Sequence, residues 1–184
     1  MSVATANPSD VTAPALRRAL ISGARRVIAA RDELNRINVF PVADGDTGSN
    51  LASTLGSVLQ GALSRRSRHI GELLVGIGND AIDGARGNSG AIMAQFLVGL
   101  AEQARNAPVL DAANLALAVR RGADSARAAL AQPVEGTILS VISAFADALD
   151  EAARQPQGDP RGGFARALQR ARTALADTPK QMAL

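Results

Sequence analysis

Cysteine is missing from this chain of 184 residues, and lysine occurs once, as Lys180. Without cysteine, disulfide bonds and thiolate metal sites are excluded, and a reducing compartment fits the composition. The scarcity of lysine excludes two common phosphate sites, because a P-loop and a protein kinase each need a lysine beside the phosphates. Any phosphate chemistry in this chain must therefore use metal ions, backbone amides and helix N-termini.

Aromatic residues are limited to four phenylalanines. A core of small and aliphatic side chains favours helices over β-sandwiches. The arginines form small clusters, but no aromatic side chains interleave with them to stack on bases, which argues against nucleic-acid binding. The sequence has neither the pattern of a leader peptide nor an apolar stretch of membrane-spanning length, so we expect a soluble, cytoplasmic protein.

Apolar residues recur at spacings of three and four along most of the chain, which is the pattern of amphipathic helices. Leu51, Leu55 and Val58 form one such run, and no segment sustains the alternation of a strand. We predict an all-α domain over residues 13–184, an antiparallel barrel or bundle of about seven to eight helices, after a flexible tail over residues 1–12. Pro179 is expected to end the last helix.

The most informative segment is an acidic, glycine-containing loop that ends in Asp44-Gly45-Asp46-Thr47-Gly48-Ser49-Asn50. Its carboxylates, separated by one glycine, converge on one point, and Mg²⁺ prefers oxygen ligands of this kind. The residues from Thr47 to Asn50 open the next predicted helix, where amides and the helix dipole attract phosphate. The alternative is an ordinary Asp-Gly turn, because Gly, Asp, Asn and Pro concentrate in turns for conformational reasons.

Two further loops have the same character. One runs from Gly84 to Gly90 and the other from Pro133 to Thr137, and each places Gly with Ser, Thr or Asn at a helix start. Alternate loops of an up-and-down bundle lie at the same end, so all three loops are predicted to share one face. The alternative for each loop is a well-capped turn, since these are also the ordinary capping residues.

Three charged or titratable side chains near helix starts have open interpretations. Arg86 is the best cationic candidate to stabilise a transferring phosphoryl group, and an ion pair with Asp80 or Asp83 is an equal alternative. His69, the only histidine, lies at the expected opposite end and is interpreted as a neighbour of a helix cap rather than a general base. Glu135 could bind a nucleotide ribose or solvent.

In their order and intervals, the three loop motifs resemble the nucleotide-binding domain of the dihydroxyacetone kinase family, the DhaL-type domain. The resemblance covers about residues 13–179. Before the acidic loop, the segment Leu34-Asn35-Arg36-Ile37-Asn38-Val39-Phe40-Pro41-Val42 is similar to the bacterial fatty acid kinase branch of that family.

The resemblance implies a barrel of antiparallel helices that binds ATP at one end through two Mg²⁺ ions. Asp44 and Asp46 would be the principal metal ligands and, with Arg86, the catalytic residues, while Asn38 would stand where the classical branch has a third aspartate. The expected nucleotide contacts are Thr47, Gly48, Ser49, Asn50, Gly87, Asn88, Ser89, Gly90, Gly136 and Thr137.

The same resemblance implies phosphoryl transfer to a fatty acid that a separate DegV-type lipid-binding protein presents. Dihydroxyacetone is the alternative acceptor, but Thr47 stands where the classical branch has histidine. A module that binds nucleotide without turnover is a further alternative. Because the family pattern continues past Thr178-Pro179, the chain is expected to be the N-terminal part of a longer protein.

Overall fold

The computed structural model describes residues 9–39, 43–155 and 160–181. Over these ranges the chain forms eight helices and no strand beyond one isolated bridge between Val11 and Leu110. The helices are α1 (Ala13–Ala29), α2 (Arg31–Arg36), α3 (Thr47–Ser64), α4 (Ile70–Gly84), α5 (Gly87–Ala104), α6 (Ala112–Ala128), α7 (Ile138–Ala153) and α8 (Pro160–Gln181). The predicted all-α class and the number of helices are confirmed, although the short α2 has no counterpart among the apolar runs.

Several helices begin where a side chain caps the first turn. Asp111 accepts a hydrogen bond from the Asn114 amide at 2.7 Å and starts α6, and Thr137 accepts one from the Leu139 amide and starts α7. His69 accepts from the Glu72 amide at the start of α4, so it is the N-cap itself rather than a neighbour of the cap. In each case the capping residue has the extended backbone that N-cap residues normally adopt.

The last helix does not end at Pro179. This prediction was wrong, because α8 continues to Gln181 with the proline inside its final turn. A proline has no amide hydrogen to donate to the carbonyl four residues earlier, here that of Leu175. The Thr178 hydroxyl donates to that carbonyl oxygen at 2.8 Å, so the acceptor is satisfied and the helix can continue.

Neighbouring helices pack in chain order from α3 to α8, while α1 and α2 both lie against α3, and α3 also contacts α5. The largest core cluster joins α1, α3, α4 and α5 around the fully buried Ile70, Leu73, Leu74 and Ile77. A second, alanine-rich cluster joins α6, α7 and α8. Beside it, the rings of Phe145 and Phe164 meet edge to face with centroids 5.3 Å apart.

One end of the bundle is closed by backbone hydrogen bonds. The first amides of α4, those of Ile70 and Gly71, donate to carbonyls of the segment between α5 and α6, at 3.1 and 3.0 Å. Val11 and Leu110 exchange two backbone hydrogen bonds at the same end, of 2.8 and 3.0 Å. Val11, which was predicted to lie in the tail of residues 1–12, is thus bonded to the rest of the domain. Residues 1–8 lie outside the described ranges. None of the described helices has both the length and the apolar character needed to cross a membrane.

Candidate functional site

Three polar side chains meet where the loop after α2 leads into α3. The Asn38 side-chain amide donates to an Asp44 carboxylate oxygen at 3.2 Å, and the Thr47 hydroxyl donates to the Asn38 side-chain oxygen at 2.5 Å. Asp44 is exposed, so this cluster of oxygen atoms opens to solvent. Asn38 and Asp44, which lie six residues apart, are thus neighbours, as a shared site requires. Residues 40–42 of the same loop lie outside the described ranges.

Asp46 is the last residue before α3, yet its side chain makes no capping hydrogen bond. Its backbone is close to helical, with φ −111° and ψ −7°, rather than extended. Only its carbonyl oxygen takes part in the helix, as the acceptor for the Asn50 amide at 2.9 Å. Before it, Gly45 has φ +69°, a left-handed conformation that glycine adopts at little cost.

The first turn of α3 is held by α2. The Asn35 side-chain oxygen accepts from the Ser49 amide, and its NH₂ group donates to the Ser49 hydroxyl, both at 3.0 Å. Gly48 is buried against α2, and a β-carbon there would overlap the carbonyl oxygen of Arg31. Asn35 therefore occupies both the amide and the hydroxyl of Ser49, and Gly48 allows the two helices to approach closely.

The loop before α5 lies directly on the first turns of α3. The Ser89 hydroxyl donates to the Thr47 carbonyl oxygen at 3.4 Å. Gly87, with φ +55°, faces the Asn50 side chain so closely that a β-carbon would overlap its amide group. A β-carbon on Gly90 would lie 2.5 Å from the hydroxyl of Thr54. The prediction that the first two loops share one end of the bundle is confirmed by these contacts.

Thr54 is a structural part of this junction that sequence reasoning did not single out. Its side chain is fully buried, at 0% exposure, and its hydroxyl lies 3.0 Å from the Asn50 carbonyl oxygen and 3.3 Å from that of Gly84. Ser53 also donates to the Gly84 carbonyl, at 3.2 Å. The sequence did contain a signal for this role, because Thr54 is a polar residue on the apolar helix face formed by Leu51, Leu55 and Val58.

Arg86 is exposed in the second loop, and its side chain folds back onto the backbone. Its guanidinium donates to the carbonyl oxygens of Ala85, at 2.6 Å, and of Asp83, at 3.4 Å. The alternative ion pair with Asp80 or Asp83 is wrong, because Asp80 pairs with Arg65 and the Asp83 contact is to its backbone. Asn88 is exposed in the first turn of α5.

The third loop bonds to its own two helices. Glu135 pairs with Arg127 of α6 at 2.6 Å and accepts from the Ser140 hydroxyl of α7, also at 2.6 Å. The Gly136 amide donates to Ser140 at 2.9 Å, and the Thr137 hydroxyl donates to the Val134 carbonyl at 2.8 Å. The Ser140 hydrogen bond, followed by Arg127, holds the pKa of Glu135 below its ordinary value. Glu135 thus stabilises the turn, in line with the capped-turn alternative.

The start of α7 nevertheless lies beside α5. Leu139 is buried with Ile92 of α5 and Ala126 of α6 in one small apolar cluster. Gly136 and Thr137 are therefore near the same end of the bundle as the other loops, and their contact with a nucleotide stays a prediction.

The donor chemistry at the first loop matches a hard cation. Across the described ranges, no group of three or more His, Cys, Asp or Glu side chains is placed to hold a metal ion. The available oxygen atoms come instead from two aspartates, Asp44 and Asp46, with the amide of Asn38 and the hydroxyl of Thr47. Carboxylate, amide and hydroxyl oxygens are donors that Mg²⁺ accepts, with water completing its shell.

The fold and this junction define an all-helical domain with a polar, oxygen-rich site between two helix starts. Comparison with known families is more specific: the DAK2 domain model matches residues 41–184, and the chain belongs to that family. This is the DhaL-type domain of the dihydroxyacetone kinase family, which points to a nucleotide-binding module of the kinase type. The predicted family is confirmed at this level.

Several staphylococcal proteins are similar in sequence. An uncharacterized protein of Staphylococcus saprophyticus is 35% identical over 160 residues, which cover 87% of this chain and 29% of the relative. One from Staphylococcus haemolyticus is 37% identical over 70% of this chain and 23% of its own length. One from Staphylococcus aureus is 35% identical over 75% of this chain and 25% of its own length. The chain thus spans only about a quarter of these relatives' length.

Proposed function

We propose that this domain binds ATP with Mg²⁺ and transfers the terminal phosphoryl group to a fatty acid presented by a DegV-type carrier protein. The observation that carries the proposal is the junction of the first two loops, where Ser89 of α5 bonds to Thr47 of α3 beside the Asn38 and Asp44 pair. Membership of the dihydroxyacetone kinase family supports nucleotide binding and phosphoryl transfer. The acyl acceptor is supported by the similarity of residues 34–42 to the fatty acid kinase branch.

In this proposal Asp44, Asp46 and Asn38 hold the metal. Bound Mg²⁺ would neutralise phosphate charge and align the nucleotide, which is most of what phosphoryl transfer requires. The exposed oxygen atoms of Asp44 and the adjacent Thr47 hydroxyl support this role. A chain whose only lysine is Lys180 is suited to such a site, because metal and amides replace the usual lysine.

The second loop is proposed to hold the phosphates. Gly87 and Gly90 keep the backbone close to α3, and the start of α5 offers amides and the positive end of a helix dipole. Arg86 is exposed, and within the described ranges its guanidinium bonds to the backbone carbonyls of Asp83, in the last turn of α4, and of Ala85. Rotation of its side chain would free the guanidinium to reach a phosphoryl group. A positive charge there would stabilise a transferring phosphoryl group.

The test is calorimetric titration of ATP into the chain with Mg²⁺, with EDTA in place of Mg²⁺, and with Asp44→Ala. Exposed Asp124 of α6 provides a matched control, Asp124→Ala. We expect binding that requires Mg²⁺, is lost in Asp44→Ala and persists in Asp124→Ala. Equal ATP binding by both variants and with EDTA would contradict the proposed metal site.

The acceptor needs a separate assay. Transfer of labelled phosphate from ATP is measured with a fatty acid on a DegV-type carrier, with free fatty acid and with dihydroxyacetone. Labelling that needs the carrier supports the proposal, whereas labelling of dihydroxyacetone would assign the chain to the classical branch. ATP binding without transfer to any acceptor would indicate a nucleotide-binding module.

A further inference from the structure

The start of α3 has an aspartate at the N-cap that does not cap the helix. Aspartate is among the preferred N-cap residues because its carboxylate accepts from an amide in the first turn of the helix. Asp46 stands at the N-cap of α3 but makes no such bond. The amide that it would normally bind, that of Ser49 at the third helical position, donates instead to Asn35.

Backbone geometry explains why Asp46 does not cap. Asp111, which caps α6 through the equivalent amide of Asn114, has an extended backbone with φ −73° and ψ 178°. Asp46 has ψ −7° instead, so its backbone is not extended. Asn35, 14 residues earlier on α2, provides the missing acceptor at 3.0 Å.

Two hydrogen bonds fix the Asn35 side chain in the position where it caps α3. Its NH₂ group also donates to the Ser49 hydroxyl at 3.0 Å, so two parallel hydrogen bonds fix the side-chain amide. Buried Gly48 brings the backbones of α2 and α3 together, since any side chain there would overlap Arg31. The side-chain oxygen of Asn35 on α2 thereby accepts the hydrogen bond that the N-cap residue of α3 would normally accept.

We propose that Asn35 is a positioning residue that caps α3 in place of Asp46, and so leaves the Asp46 carboxylate available to a metal ion. The inference rests on the proposed metal site and adds a residue that does not itself touch the ion. Without Asn35, the Ser49 amide would lack an acceptor. Rotation of the Asp46 backbone to the extended conformation would then let this amide compete with the metal for the Asp46 carboxylate. Loss of an N-cap hydrogen bond shifts an equilibrium about 2- to 30-fold, and competition of this size would weaken metal binding by the same factor.

The first test is titration of the chain with Mn²⁺, used as a probe for Mg²⁺, in three variants. Asn35→Ala removes the acceptor and is expected to weaken Mn²⁺ binding about 2- to 30-fold. Asn35→Asp keeps an acceptor for the Ser49 amide and is expected to bind at least as tightly as wild type. Asp111→Ala removes a cap of the same kind at the start of α6 and should leave Mn²⁺ affinity unchanged.

Thermal unfolding of the same variants separates positioning from stability. Asp111→Ala leaves α6 without a side-chain cap, whereas in Asn35→Ala the Asp46 carboxylate can accept from the Ser49 amide in place of Asn35. The melting temperature of Asn35→Ala should therefore be no lower than that of Asp111→Ala. Equal Mn²⁺ affinity in Asn35→Ala and wild type would overturn the inference. So would an Asn35→Asp variant as weak as Asn35→Ala.

A second measurement needs no metal. Hydrogen exchange of the Ser49 amide is compared in wild type, Asp46→Ala and the double variant Asn35→Ala/Asp46→Ala. We expect unchanged protection in Asp46→Ala and loss of protection only in the double variant. Loss of protection in Asp46→Ala alone would show that Asp46 is the cap and overturn the inference. If wild type binds no Mn²⁺, the metal proposal fails, and the exchange result still decides which residue caps α3.

Discussion

The crossing of α5 and α6 provides a sharp test of the packing. Gly99 of α5 faces Gly122 of α6, and a β-carbon on Gly99 would lie 2.6 Å from the Arg121 carbonyl oxygen and 2.8 Å from the Gly122 α-carbon. Carbon atoms pack best at about 3.5–4.0 Å. Gly99→Ala must therefore push two backbones apart, because neither contact can be relieved by rotating a side chain.

The expected size of the effect follows from two opposing contributions. Replacing a glycine inside a helix by alanine contributes about 1 kcal/mol of stability through helix propensity. Overpacking a close contact costs about 1–3 kcal/mol. Gly23→Ala in α1 is the matched control, because a β-carbon there has no neighbour within 4 Å and only the favourable contribution remains.

Thermal unfolding followed by far-UV circular dichroism measures the difference between the two variants. A change of 1 kcal/mol corresponds to about 2–4 °C for a domain of this size. Gly99→Ala should therefore melt about 2–12 °C below Gly23→Ala. If Gly99→Ala melts at or above Gly23→Ala, the close approach of α5 and α6 is refuted.

Two further changes test the third loop and the contact between α3 and the end of α4. Because the pKa of Glu135 is lowered in the folded chain, its bonds to Ser140 and Arg127 stabilise the fold above the ordinary value of 4.5, and this stability is lost as the pH falls through the lowered value. The melting temperatures of wild type and Glu135→Gln should therefore differ near neutral pH and converge in acid; a gap independent of pH would contradict this. Thr54→Val should lower the free energy of unfolding in urea by about 0.5–1.5 kcal/mol, because the bond to the Gly84 carbonyl is lost. Thr54→Ser keeps the hydroxyl and is its control, and a valine variant as stable as wild type would count against that bond.

The fold was predictable because its long helices have strong apolar periodicity. The exception is α2, which is only six residues long, has no buried residue and carries Leu34 as its single apolar side chain. Such a segment has little helical stability of its own. Its contacts with α3, through Gly48 and Asn35, are interactions between distant parts of the chain, which local sequence patterns do not reveal.

The candidate site was predictable only in part. Asn38, Asp44 and Thr47 lie close together along the chain, so their convergence could be expected from one loop. Asn35 could not be recognised, because its two bonds reach 14 residues along the chain and depend on the path of the intervening loop. For the third loop, the sequence could not distinguish a capped turn from an anion site, because the same residue types occur in both. Only the contacts of that loop in the structure distinguish the two.

The three loops therefore differ in the groups that they offer to a ligand, although their sequences are similar. At the first loop, Asn35 consumes the Ser49 amide, so what that loop offers a ligand is mainly the oxygen atoms around Asp44. At the third, the Ser140 hydroxyl donates to Glu135 and accepts from the Gly136 amide. The second loop offers the start of α5, where exposed Asn88 follows a left-handed glycine. If phosphate binds at this end of the bundle, we expect a cation at the first loop and backbone amides at the second loop to hold it. The proposed function therefore depends most on whether nucleotide binding requires a metal ion.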